Sequence, residues 1–150
     1  MQKIAVALKG RSNSGKTETL LIFIRKLEDF GGISIGSGNS EPIGGGDVGV
    51  IIKLGKMRIG IETQGDPGTQ LKERLEYMVE QKCHIIVCAT RTFGQTVEDF
   101  YIACADYERI EIHQQYIYSS IDKNTEKLQN DVLERTIDLI KHACAITEVL

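Results

Sequence analysis

Gly10-Arg11-Ser12-Asn13-Ser14-Gly15-Lys16-Thr17 is the stretch on which the reading of this chain turns. It follows the pattern G-x-x-x-x-G-K-[ST]. Gly10 and Gly15 let the backbone curl into a concave nest whose N–H groups converge on an anion. Lys16 sets a compact ammonium against the outer oxygens of a polyphosphate. Thr17 offers a hydroxyl to Mg²⁺, a hard cation that takes few protein oxygens and keeps water and phosphate as its other ligands. Just upstream, Ile4-Ala5-Val6-Ala7-Leu8 is an apolar run suited to a buried parallel strand. Downstream, Leu20, Phe23, Ile24, Leu27 and Phe30 recur at helical spacing and predict a helix from Lys16 to Phe30. That helix would aim its positive end at the same anion. A strand, the loop and a helix in this order are the context the pattern requires.

In that context the chain resembles the P-loop NTPases, whose phosphate-binding loop is the Walker A motif. The resemblance implies a nucleoside triphosphate cradled by Gly10, Arg11, Ser12, Asn13, Ser14, Gly15, Lys16 and Thr17, with Mg²⁺ beside it. It also implies an α/β fold in three layers. The expected sheet is five-stranded and mostly parallel, with an antiparallel strand 2 and helices on both faces.

Composition bounds the rest. A chain of 150 residues with 41% hydrophobic and 26% charged side chains suits one soluble domain with one substantial core. A net charge of −3 argues against a broad basic nucleic-acid surface. No apolar run approaches the roughly 20 residues of a membrane span. Met1-Gln2-Lys3 leads straight into the first strand without signal-peptide architecture, so a cytoplasmic protein is expected. Cys83, Cys88, Cys104 and Cys144 form no Cys-x-x-Cys and lie in apolar surroundings, which reads as reduced core thiols. His84, His113 and His142 share no zinc-ligand spacing.

Gly31-Gly32 should stop the first helix. The glycine-rich segment 31–49 is too long for a routine connector. It reads as a mobile loop closing over the nucleotide or a protein partner, or as a flexible insertion without a role. In Ras-like GTPases the segment between helix 1 and strand 2 senses the terminal phosphate, and the position here is similar. Residues 48–54 and 57–62 then read as an antiparallel hairpin turning at Gly55-Lys56, again similar to the Ras-like arrangement.

The hairpin ends in Glu62-Thr63-Gln64-Gly65-Asp66-Pro67-Gly68. A carboxylate after an apolar strand occupies the Walker B position, which serves Mg²⁺. Glu62 to Gly65 is similar to the Asp-x-x-Gly of GTPases, in which the glycine N–H contacts the terminal phosphate, although glutamate replaces aspartate here. Asp66 competes with Glu62 for the metal. It reads equally as the cap of a helix over 67–82, with Pro67 at the first position. Leu71, Leu75, Met78 and Val79 form that helix's apolar face.

The apolar strand 84–89 opens into Thr90-Arg91-Thr92-Phe93-Gly94-Gln95. Open α/β sheets bind ligands beyond the carboxyl ends of their strands, so Arg91 is a candidate for contacting phosphate; it reads as well as a surface arginine stacked on Phe93. A third helix over 96–107, capped at Thr96 with Asp99 near its positive end, would bury Val97, Phe100, Tyr101 and Cys104. A strand over 109–118 and a last helix from Asn124, with Leu128, Val132, Leu139 and Ile140, complete the pattern.

Asn-Lys-x-Asp, the guanine-reading tetrapeptide of GTPases, is absent; Asp122-Lys123-Asn124 has related residues in another order. ATP is therefore expected ahead of GTP. Three functions fit: hydrolysis of the nucleotide, with Gln64 or Gln95 orienting water; a kinase, with Arg91 and Arg74 stabilising the moving phosphoryl; or a regulatory module that binds without turnover.

Overall fold

A computed structural model describes residues 3–11, 15–36, 49–65, 67–68 and 70–113. In chain order these form β1 (Ile4–Lys9), α1 (Lys16–Asp29), β2 (Ile33–Gly36), β3 (Gly49–Leu54), β4 (Met57–Glu62), α2 (Leu71–Glu80), β5 (Ile85–Thr90), α3 (Gln95–Ala103) and β6 (Glu108–His113). The strands make one mixed α/β sheet in the order β2-β3-β4-β5-β1-β6. β1 pairs in parallel with β5 and β6, and β5 in parallel with β4. β3 pairs antiparallel with β2 and β4, so it is the one reversed strand among those described.

Alternation along the central strands builds a core on each face. Ile4, Val6 and Leu8 of β1 join Ile85, Val87 and Ala89 of β5 and Met57, Ile59 and Ile61 of β4 against Leu20, Phe23 and Leu27 of α1. On the other face Ala5, Ala7, Ile86 and Cys88 meet Leu71, Leu75 and Met78 of α2 and Phe100 of α3. This burial on both sides explains why β1 and β5 read as unbroken apolar runs. The chain travels toward the β2 edge by way of α1, and toward the β6 edge by way of α2 and α3. Opposite directions over opposite faces are what a single hand of crossover demands. Neighbouring strands β1 and β5 therefore send their following helices to opposite faces. A crevice opens between their carboxyl ends, the place where such sheets take ligands.

The structure changes several expectations. The sheet has six described strands rather than five. The added strand, β2, lies inside the segment read as a glycine-rich loop; residues 37–48 of that segment lie outside the described residues. The strand expected to be reversed, over 48–54, is the reversed one, and the added strand makes it third in chain order. The expected hairpin forms as β3 and β4. β5 stands between β1 and β4, which sets those two strands about 10 Å apart at ordinary strand spacing. Pro67 does not open α2, because Gly68 (φ +79°) and Gln70 (φ 61°) both leave the right-handed region and the helix begins at Leu71. α3 starts at Gln95 after Gly94, not at a Thr96 cap. The strand expected over 109–118 is described as β6 to His113; its remaining residues, the last helix and Cys144 lie outside the described residues.

Candidate functional site

The site is built on the junction of β1 and α1. Gly15 precedes the helix with φ 91° and ψ 14°, a left-handed conformation suited to glycine. The backbone then turns helical at Lys16, the first residue of α1. Lys16 is 7% exposed. Its Nζ donates to the carbonyls of Gly10 and Thr90, each at 2.7 Å. The first bond closes the loop into a ring. The second ties that ring to the end of β5, whose Thr90 carbonyl also accepts the Gly10 N–H at 3.1 Å. The ammonium therefore stands in the β1/β5 crevice that the topology creates. Arg11 is exposed and Thr17 half-buried. Ser12, Asn13 and Ser14 lie outside the described residues.

Glu62 ends β4 and is 1% exposed. Strand alternation directs it to the face of Gly60, which packs against Met78 of α2. Its Oε1 accepts the Gln64 N–H at 3.2 Å and stands 3.6 Å from the Arg74 guanidinium. Arg74, in the first turn of α2 and 8% exposed, also donates to the Gln64 carbonyl at 3.2 Å. A cation and an amide thus stand against a carboxylate that burial would otherwise penalise.

Gly65 is buried where the chain passes β5. A Cβ there would lie 2.6 Å from the carbonyl carbon and oxygen of Ala89. Close backbone approach is reason enough for glycine at this position. Asp66 lies outside the described residues. Just past β5, the Arg91 N–H donates to Thr96 Oγ1 at 2.8 Å, and Thr90 Oγ1 donates to the Arg91 carbonyl at 2.9 Å. Thr96 therefore braces the β5–α3 loop instead of capping the helix. Phe93 is 84% exposed, and Gln95 Nε2 donates to Asp99 Oδ1 at 2.7 Å within α3.

Cys88 of β5 is fully buried in the core on the α2 and α3 face. Burial above all pushes its thiol well up from the ordinary range; Cys104 and Glu62 add to the rise and Lys16 opposes it. Glu62 and Lys16 are thus both electrical neighbours of one buried atom, although β5 lies between the strands they follow.

The fold brings together Gly10, Gly15, Lys16 and, from β5, Thr90. Glu62, Gln64 and Gly65 follow β4 alongside. Sequence reading missed Thr90 and the partnership of Arg74 with Glu62. Thr90 has a signal, as the first polar residue after a buried run. Arg74 has none, because its charge on a predicted helix looks like any solvated residue. Among the described residues no cluster of three or more His, Cys, Asp and Glu side chains is arranged for a metal. A Mg²⁺ held by one hydroxyl, one carboxylate and phosphate oxygens requires no such cluster. The hydroxyl of Thr17 and the buried carboxylate of Glu62 are hard oxygen donors of the fitting kind. Among the described residues no helix is long and apolar enough to cross a membrane. The chain matches no protein-family model, and comparison with curated proteins finds no significant match.

Proposed function

We propose that this chain is a small P-loop-type protein that binds a nucleoside triphosphate with Mg²⁺ and hydrolyses it. The observation that carries the reading is Lys16. It is a buried lysine at the first residue of a helix, closing a glycine-flanked loop at the β1/β5 switch point. Such a lysine is held by carbonyl oxygens, which phosphate oxygens can replace with stronger, charge-assisted bonds. The loop's N–H groups and the α1 dipole favour the same anion.

In this reading Lys16 neutralises charge on the outer phosphates. Thr17 and Glu62 would hold Mg²⁺, which supplies further neutralisation of those phosphates. Gln64 is fixed at both its N–H and its carbonyl, so its side chain departs from a steady base, as a water-orienting residue needs. Arg91, at the β5 end with its N–H braced by Thr96, is the candidate for charge that develops on the phosphoryl. ATP is the expected nucleotide, since no guanine-reading tetrapeptide is present. A kinase is the weaker alternative, because Arg74 faces Glu62 and Gln64 instead of standing ready for a second substrate. A regulatory module that binds without turnover would use the same Lys16.

Calorimetric titration of ATP and of GTP, each with Mg²⁺, into the wild type and Lys16→Ala tests this. The expected result is binding of one nucleotide, weakened at least about tenfold in the variant, with an unchanged fold by circular dichroism. Equal binding by both proteins, or none by the wild type, would remove the phosphate-loop reading. Phosphate release without an added acceptor then separates hydrolysis from transfer.

A further inference from the structure

We propose that Arg74 is a positioning residue for Glu62. It keeps the carboxylate and the turn 62–65 in the arrangement that serves a divalent cation. The inference rests on the nucleotide-binding reading and goes beyond it, by assigning a metal-directed role to a side chain outside the phosphate loop.

Three contacts form one clamp. Arg74 Nη1 stands 3.6 Å from Glu62 Oε1, Arg74 Nη2 donates to the Gln64 carbonyl, and the Gln64 N–H donates to the same Oε1. The guanidinium thus spans a side chain and a backbone group two residues later, a task suited to a planar fork and poorly met by a lysine. Past the clamp, Gly65 is seated against the β5 backbone at Ala89. The turn is held from α2 on one side and from β5 on the other.

Burial decides the energetics. Glu62 and Arg74 are 1% and 8% exposed. An exposed ion pair at this distance would contribute little, whereas a buried one that loses a partner leaves an uncompensated charge. At 3.6 Å this contact is an ion pair, longer than a tight charge-assisted hydrogen bond. Residues that hold a ligating carboxylate from behind typically alter metal affinity by about 10–100-fold when removed.

The test compares the wild type, Arg74→Gln, Glu62→Gln and the double variant. Binding of ATP or GTP, whichever the wild type holds more tightly, is measured by calorimetry in EDTA and across a Mg²⁺ series. The expected result for Arg74→Gln is a rise of about tenfold or more in the Mg²⁺ needed for half-maximal binding, with affinity in EDTA changed by less than about twofold. The double variant is expected to match Glu62→Gln, since the two residues act as one unit. An unchanged Mg²⁺ requirement, an equal loss with and without Mg²⁺, or additive effects would overturn the inference. Should Arg74→Gln not fold, Arg74→Lys is read in its place, with a smaller rise in the same direction expected and no rise overturning it. Wild type that binds neither nucleotide would defeat the reading of the site and this inference together. Wild type that binds, beside an Arg74→Gln with a normal Mg²⁺ requirement, would defeat the inference alone.

Discussion

An added methyl at Gly65 would sit 2.6 Å from the Ala89 carbonyl, a distance that Cβ atoms do not tolerate. Neither neighbour is the soft end of a side chain; both are β5 backbone, so the strand or the turn must shift. Gly65→Ala is expected to destabilise the protein by about 1–3 kcal/mol, read as a lower urea midpoint at unchanged m. Stability equal to the wild type would show that the turn relaxes freely. The contact gives Gly65 a packing role independent of any phosphate, so loss of nucleotide binding in that variant counts only beside its measured stability. Lys16 differs. It donates to two backbone carbonyls that close the loop.

At the scale of elements, the end of α1 has an identifiable mechanism. Gly31 has φ +96° and donates its N–H to the Glu28 carbonyl, while the Gly32 N–H reaches back to Leu27. These are the two bonds of a Schellman cap. No atom lies within 4 Å of a Cβ built on Gly31, so Gly31→Ala tests the backbone conformation without a collision. The expected loss is about 1–2 kcal/mol by urea unfolding, with Gly31→Asn losing less because asparagine tolerates the left-handed region. Equal stability of all three proteins would mean that the cap is not needed to direct the chain into β2. The next element matters for the site too. α2 starts late, at Leu71, and this places Arg74 in its first turn opposite the end of β4.

For the whole molecule, the two-faced core stores titratable groups. Burial pushes the Cys83 and Cys104 thiols up to about 12, and Cys88 well above its ordinary value. The Tyr107 hydroxyl, which donates to the Cys83 carbonyl, is raised as well, chiefly by burial. A thiol raised on folding stays protonated in the native state while the unfolded chain ionises near pH 9.0. Its contribution is therefore complete below that pH and is lost as the pH climbs toward about 12. Urea unfolding between pH 8 and 11 should show stability falling by up to about 1.4 kcal/mol per pH unit for each such thiol. Cys104→Ala should make that decline shallower. A flat profile would mean that the thiols reach solvent.

The strand before Gly10, the helix that starts at Lys16 and the hairpin at β3 and β4 were legible in the sequence, because each rests on neighbours along the chain. Turn glycines, apolar runs and helical spacing act over a few residues. The buried, free state of Cys83, Cys88 and Cys104 followed from their apolar flanks in the same way. Ile33-Ser34-Ile35 was hidden by the glycines around it, since an edge strand owes its shape to bonds with β3 and not to its own pattern. Tyr101, expected in the core, is instead 39% exposed, with its hydroxyl on Glu111 and the Arg109 guanidinium 5.1 Å from its ring centre. Helical spacing there could not tell a core aromatic from one lying over a polar edge. Sheet order, the β1/β5 crevice, the Thr90 carbonyl under Lys16 and the pairing of Arg74 with Glu62 were decided by tertiary structure. They join residues far apart in the chain, and local sequence carries no term for the desolvation and charge pairing that make each of those meetings favourable.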